Sequence, residues 1–245
     1  ITMKSNVSID NINTQEKTIL DSQGNLHTFD SLILATGSRP FVPENAQLHL
    51  PGRFTMRKKS DADGLKKYLD STNLPTEEQH IVIIGGGLLG LELAAALKHK
   101  KVKITIIQRA SRLMERQLDR VSSKLLAEEV QLRDIQIYFD NEVSTVFETD
   151  NPNELEIALK SGKIITANAI VYTIGTLPNI EIAKESGLAC GRGVKVNQYL
   201  QSSNPSVFAI GEIAEFNNQL FGITSAAEEQ ADILANYLAG DISSF

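Results

Sequence analysis

Polar and apolar positions alternate at the start of the chain, and the period changes toward its middle. Val7 and Ile9, Lys17 to Leu20, a turn at Gln23, Gly24 and Asn25, and then Leu26 to Phe29 read as a β-meander. It feeds the apolar run Leu32 to Ala35, which reads as a buried strand ended by Thr36 and Gly37. Pro40, Pro43 and Pro51 with Gly52 keep Ser38 to Arg53 irregular, so this stretch reads as a connector. Ser60 with Asp63 is a capping-box variant, and the spacing predicts a helix through Leu65 and Leu69.

After Pro75, His80 precedes Ile81, Val82, Ile83 and Ile84, a β-branched run typical of a strand buried on both faces of a parallel sheet. Gly85 to Gly90 follow, then a helix from about Leu88 to His99 packing through Leu91, Ala94, Ala95 and Leu97. Lys103 to Ile107 completes a βαβ unit over 81–107. Leu125, Leu126 and Val130 predict a helix over 121–133, followed by strand-like stretches at 135–139, 143–148, 154–159 and 163–174. Strands near Val194 and over Val207 to Ile210 precede a helix from Ser225 to Ala239 closed by Gly240.

Composition changes this picture mainly by exclusion. With 42% hydrophobic residues and 22% charged among 245, the chain can bury a core and is neither disordered nor collagen-like. A net charge of −6 and a pI near 5.3 offer no footprint for a phosphate backbone, so neither nucleic acid nor an anionic membrane is an expected partner. Cys190 is the only cysteine, which excludes an intramolecular disulfide, a CxxC redox pair or a cysteine zinc site built from this chain alone. His27, His49, His80 and His99 show no ligand spacing, and no metal is expected. No apolar run approaches the ~20 residues of a spanning helix, and no signal-peptide pattern opens the chain, so a cytosolic location is the default expectation. Starting at Ile1 and stopping at Phe245 without an obvious stop, the sequence reads as a piece of something longer.

The stretch Gly85-Gly86-Gly87-Leu88-Leu89-Gly90 satisfies GxGxxG directly after a strand and at the start of a helix, where a dinucleotide needs it. Gly85 permits the tight turn, Gly87 lets the backbone approach a pyrophosphate, and Gly90 lets helix and strand pack closely. The helix N-terminus presents N–H groups and a partial positive charge to the phosphates. At the end of the second strand, where a carboxylate would accept from the 2′-hydroxyl of NAD, stands Gln108, followed by Arg109 and Arg112. A neutral amide beside guanidinium groups suits a 2′-phosphate, so NADPH is expected over NADH.

Two further stretches, LILATGSRP from Leu32 and PSVFAIGEIAE from Pro205, together with GGGLLGLELA from Gly85, resemble the FAD-dependent pyridine nucleotide-disulfide oxidoreductase superfamily. Gly175-Thr176-Leu177-Pro178-Asn179 and the run from Gly222 to Ala231 are similar to it as well. Within it, LMERQLD (Leu113 to Asp119) is most like rubredoxin and ferredoxin reductases and the flavoprotein part of assimilatory nitrite reductase. The resemblance implies an α/β fold in which a Rossmann-like NAD(P)-binding domain is inserted in a truncated FAD-binding domain. The expected limits are 1–75 for a partial FAD-binding part, 76–178 for the NAD(P)-binding domain and 179–245 for the return to the FAD part. It further implies that hydride passes from NAD(P)H to FAD and electrons go on to an acceptor protein or domain; a homodimer is one assembly it allows.

By resemblance, Ala35, Thr36, Gly37 and Arg39 lie where the two domains join, Gly211 and Glu212 contact the FAD ribityl and pyrophosphate, and Gly175 ends a cofactor-binding strand. Glu92 matches a glutamate near the nicotinamide and flavin rings; otherwise it is an exposed first-turn helix acid. Ser225 and Ala226 open a helix whose N-terminus would stabilise negative charge on a reduced flavin, with Ser225 and Glu228 read as a capping box. Hydride transfer is cofactor chemistry, so no side chain is nominated as catalytic.

The chain also departs from the resemblance. The opening βαβ unit with its own FAD-binding GxGxxG and the C-terminal interface domain are not in this sequence, and Glu212 stands where aspartate is usual. Two alternatives therefore stay open: a disulfide reductase whose cysteines lie ahead of Ile1, and a non-enzymatic nucleotide-binding module.

Overall fold

The computed structural model describes residues 1–241. In chain order the first strands are β1 (Ile9–Asn13), β2 (Thr18–Asp21), β3 (Leu26–Thr28), β4 (Leu32–Leu34), β5 (Ser38–Pro40) and β6 (Arg53–Thr55), followed by helix α1 (Lys59–Ser71). Then come β7 (His80–Ile84), α2 (Leu88–Lys98), β8 (Lys103–Ile107), α3 (Arg120–Leu132), β9 (Ile135–Tyr138), β10 (Val143–Glu148), β11 (Leu155–Leu159), β12 (Ile164–Ala167) and β13 (Ala169–Tyr172). The last elements are β14 (Thr176–Pro178), α4 (Glu181–Glu185), β15 (Val194–Lys195), β16 (Val207–Ala209), β17 (Ala214–Phe216), β18 (Gln219–Leu220) and α5 (Thr224–Leu238). They form two compact units, one of residues 1–39 and 176–241, the other of residues 40–175. No helix of the described residues is long and apolar enough to cross a membrane.

The 40–175 unit is built on a parallel sheet of order β6-β13-β7-β8-β9. Every residue of β7 is buried, because alternate side chains serve two different layers. Ile81 and Ile83 pack with Leu65 and Leu69 of α1, Ala94 and Leu97 of α2 and Val130 of α3. Val82 and Ile84 face the other way, into Val146, Leu155, Ile157 and Ile165 of the antiparallel sheet β10-β11-β12. The β-branched residues Ile81 to Ile84 suit such two-sided burial. The other unit holds the meander β1-β2-β3, the parallel pair β16-β4 and the sheet β15-β17-β18 around Leu34, Val194, Val207 and Ile213.

Several local expectations are corrected. The run 163–174 is two strands, because Asn168 turns the chain: its Oδ1 accepts from His80 N at 2.7 Å and its Nδ2 donates to Asn153 O at 2.7 Å. Helix α1 starts before Ser60, and its cap is Asp61, whose Oδ2 accepts from the N–H groups of Arg57 and Lys58 at 2.8 Å each. Ala95 and Leu125 are exposed, Leu93 and Leu126 packing on the core instead. Residues 32–35 are not a fully buried strand: β4 ends at Leu34, and Ile33 is exposed because it points to the face opposite the buried Leu34. The connector Ser38 to Arg53 contains β5 and the first residue of β6.

His80 is buried between the layers, with Nδ1 2.7 Å from Thr166 O and Nε2 2.9 Å from Thr105 Oγ1. Burial, reinforced by the charge of Lys103 and opposed by the Thr166 bond, lowers its pKa from 6.5 to about 4. The unfolded chain therefore takes up a proton that the folded one refuses between these values, so stability falls as pH drops from 6.5 to about 4. By pH 4 the loss reaches roughly 3 kcal/mol. Urea titrations of wild type and His80→Gln across this range should show a steep dependence in the first and a flattened one in the second.

Candidate functional site

The turn between β7 and α2 is shaped by what each glycine must admit. Gly85 sits at φ +110°, and a Cβ there would stand 2.7 Å from the carbonyl oxygen of Thr173. A Cβ on Gly90 would collide with the carbonyl of Gly85 and lie 2.8 Å from Thr173 Oγ1, so α2 packs on the strand end only because Gly90 has no side chain. Thr173 Oγ1 itself donates to Ile84 O at 2.9 Å and reaches Gly85 O at 3.2 Å. Thr173 was not among the residues singled out from sequence, and nothing in its local pattern marks it. Gly87 differs from both: it precedes α2 in extended conformation, and a Cβ there would meet nothing within 4 Å.

Gly87 has no capping side chain, and Leu88 and Leu89 are both exposed. The first N–H groups of α2 have no carbonyl within the helix to receive them, and they carry the positive end of its dipole. An open cradle of amides beside space that a Cβ would fill fits a diphosphate. Glu92 is exposed on the second turn of α2, one turn later than its sequence reading as a first-turn acid. Gly175, at φ +111°, accepts from Phe41 N at 2.9 Å.

At the end of β8, Gln108 is 8% exposed. Its Oε1 accepts from Gly86 N at 2.8 Å and its Nε2 donates to Arg112 O at 3.2 Å. Arg109 is exposed, its Nε 3.8 Å from Glu142 Oε1. The Glu142 carboxyl is held below the usual carboxylate range, first by a hydrogen bond from Lys160 and then by the charges of Lys160 and Arg109. Arg112 donates from Nη2 to Glu115 O at 2.9 Å, and its Nε is buried without a partner.

In the other unit, Asn179 gathers the segment after β4. Thr36 Oγ1 donates to Asn179 O at 2.8 Å, Asn179 Nδ2 to Thr36 O at 2.9 Å, and Asn179 N to Gly37 O at 2.9 Å. Arg39 donates to Asn179 Oδ1 at 3.0 Å and to Glu181 Oε1 at 2.7 Å. The Glu181 carboxyl is held below its usual range by its own backbone N–H and then by Arg39. Ala35 is exposed beside this node.

Gly211 is brought to the start of α5, where an added Cβ would lie 3.8 Å from Ala227 Cβ. Its N–H donates to Gln230 Oε1 at 2.6 Å; Gln230 is fully buried, a polar side chain in the core whose role sequence reasoning missed. The carboxylate of Glu212 accepts from Ser38 Oγ. The reading of Ser225 and Glu228 as a capping box is corrected. Helix α5 starts at Thr224 after Ile223 with no side-chain cap, which leaves Ser225 exposed in the first turn beside the half-buried Ala226. An uncapped first turn keeps its N–H groups available to an electronegative ring edge, and this fits one end of a flavin. Gly211 N–H and Glu212 are engaged within the chain.

A glycine turn that opens a helix at the end of a buried parallel strand defines a nucleotide-binding α/β fold. The family model described as pyridine nucleotide-disulphide oxidoreductase matches residues 1–231, and the chain belongs to that family. The NAD(P)H-linked nitrite reductase of Bacillus subtilis (strain 168) is 32% identical over 246 residues, covering 98% of this chain and 29% of that protein. The chain thus spans about three-tenths of the length of the first curated relatives it matches. A ferredoxin reductase of the CYP199A2 system from Rhodopseudomonas palustris shares the fold, with TM-score 0.89 at 24% identity over 98% of this chain and 59% of that one. The covalent putidaredoxin reductase–putidaredoxin complex contains a chain matched with TM-score 0.88 at 26% identity, over 96% of this chain and 58% of that one. Proteins of this family use FAD and NAD(P)H.

Two glycine substitutions separate fold from binding. Gly90→Ala forces α2 off the turn and should cost about 1–3 kcal/mol. Gly87→Ala should leave the unfolding midpoint nearly unchanged yet abolish tight dinucleotide binding, because its Cβ fills the open cradle. Thermal unfolding beside a fluorescence titration with NADPH checks both.

Proposed function

We propose that this chain is the nucleotide- and flavin-handling part of an FAD-dependent NAD(P)H oxidoreductase, which passes hydride from NAD(P)H to FAD and electrons on to a separate acceptor protein or domain. The acceptor class is an iron-centred partner of nitrite reductase, rubredoxin or ferredoxin type. The observation that carries the reading is the open, uncapped turn at Gly87, which a diphosphate fits and a purely structural glycine turn does not need. The nitrite reductase likeness and the putidaredoxin reductase likeness support an acceptor outside this chain.

In this reading the backbone at Gly85, Gly87, Leu88, Leu89 and Gly90 binds the pyrophosphate of NAD(P)H, and Gly175 and Glu92 border the nicotinamide end. Arg109 and Arg112 stand at the adenosine ribose, and guanidinium groups there favour a 2′-phosphate. Bound FAD supplies the hydride-accepting chemistry. Ala35, Thr36, Gly37 and Arg39 shape the segment beneath it, Gly211 and Glu212 border its ribityl chain, and Ser225 and Ala226 direct the α5 dipole at the ring edge that gains negative charge. No acid or base from this chain is required, because the protein orients cofactors whose own chemistry moves the hydride.

Paired titrations of the chain with NADPH and NADH test the reading, and tight binding of at least one is expected. Arg109→Ala should weaken NADPH about fivefold to tenfold and NADH less than twofold, the size of one exposed charge-assisted contact. Equal weakening of the two would remove the 2′-phosphate assignment. Failure of the wild-type chain to bind either would remove the oxidoreductase reading.

A further inference from the structure

We infer that Gln108 is a positioning residue that latches the phosphate-binding turn to the loop carrying Arg109 and Arg112, and that it does not itself read the ribose. The inference rests on the dinucleotide reading of this turn. Gln108 is fixed first through its backbone: its N–H donates to Tyr138 O at 2.8 Å, and its carbonyl accepts from Asn141 N at 3.2 Å. From that anchored strand end the buried side chain spans two segments. Oε1 takes the N–H of Gly86 at 2.8 Å, and Nε2 donates to the carbonyl of Arg112 at 3.2 Å.

The same two segments meet a second time. Met114 N donates to Gly86 O at 3.0 Å, so both polar groups of Gly86 are bound by residues 108–114. Leu113, fully buried, closes over Gly86 so tightly that a Cβ there would collide with its side chain. Gly86 N–H is therefore committed within the chain, leaving the amides of Gly87, Leu88 and Leu89 to face a phosphate.

The arrangement explains the residue type. The position needs an acceptor toward Gly86 N–H and a donor toward Arg112 O, and an amide offers both at once. A carboxylate, which would suit a ribose hydroxyl, supplies the acceptor but turns a lone pair toward the Arg112 carbonyl. Selection between the coenzymes then falls to the guanidinium groups, and Gln108 serves both coenzymes equally by holding the turn in shape.

The test pairs nucleotide titration with amide hydrogen exchange of the full chain, using NADPH, NADH, Gln108→Met and Gln108→Glu. Loss of two hydrogen bonds in Gln108→Met should raise Kd for both coenzymes by a similar factor of about ten, with their ratio kept within about twofold. Without any nucleotide, Gly86 N–H should exchange faster in Gln108→Met and regain protection in Gln108→Glu, which restores the acceptor. Should Gln108→Met not fold, Gln108→Asn, one methylene short of Gly86, carries the same comparison. A ratio shifted more than about fivefold in Gln108→Met would make Gln108 a ribose reader and overturn the inference, as would unchanged Gly86 exchange. If wild type binds neither coenzyme, the dinucleotide reading fails, while Gly86 exchange still decides whether the latch exists.

Discussion

The 40–175 unit depends on one close approach, helix α2 against the end of β7 at Gly90. With a hydrogen in place of a side chain, Gly90 lets the helix rest on the Gly85 carbonyl and the Thr173 hydroxyl. Those contacts fix where the first amides of α2 point. The buried faces of β7 hold that strand end from above and below, with α1, α2 and α3 on one side and the β10-β11-β12 sheet on the other. The amide cradle is thus mounted on a strand buried along its whole length, so its geometry is inherited from the core.

The other unit uses polar groups for the same purpose. Asn179 engages its backbone N–H and carbonyl and both ends of its side-chain amide with Thr36, Gly37 and Arg39. A short segment without a repeating hydrogen-bond ladder must satisfy its polar groups one by one, and a side-chain amide does so with the fewest residues. Gln230 repeats the device inside α5 by taking the Gly211 N–H. Side-chain amides therefore hold turns in both units.

What was readable from sequence was what is local. The run Ile81 to Ile84 declares two-sided burial by composition, and the spacing of Gly85, Gly87 and Gly90 declares a tight turn and a close helix. The α/β class follows from those few residues. Pairings between distant segments were not readable: β6 joins the sheet edge beside β13, and β5 meets β14, through short segments with no periodic signature. The break at Asn168 was hidden because apolar residues lie on both sides of it. Ser225 with Glu228 matched a capping pattern, yet the helix starts a residue earlier, and a cap depends on backbone angles that residue types alone do not set. Gln108 was legible as a non-carboxylate at the strand end. The direction of its amide was not, since both of its side-chain partners come from other turns of the chain.

The 40–175 unit finishes where it begins, the N–H of Phe41 lying 2.9 Å from the oxygen of Gly175. A host chain can therefore carry this unit as a cassette, since inserting it asks the host to bridge only the gap of a short loop, at a modest closure entropy. Adding or removing residues 40–175 would leave the flanking chain almost uninterrupted, because the two ends of the unit are already joined by a hydrogen bond.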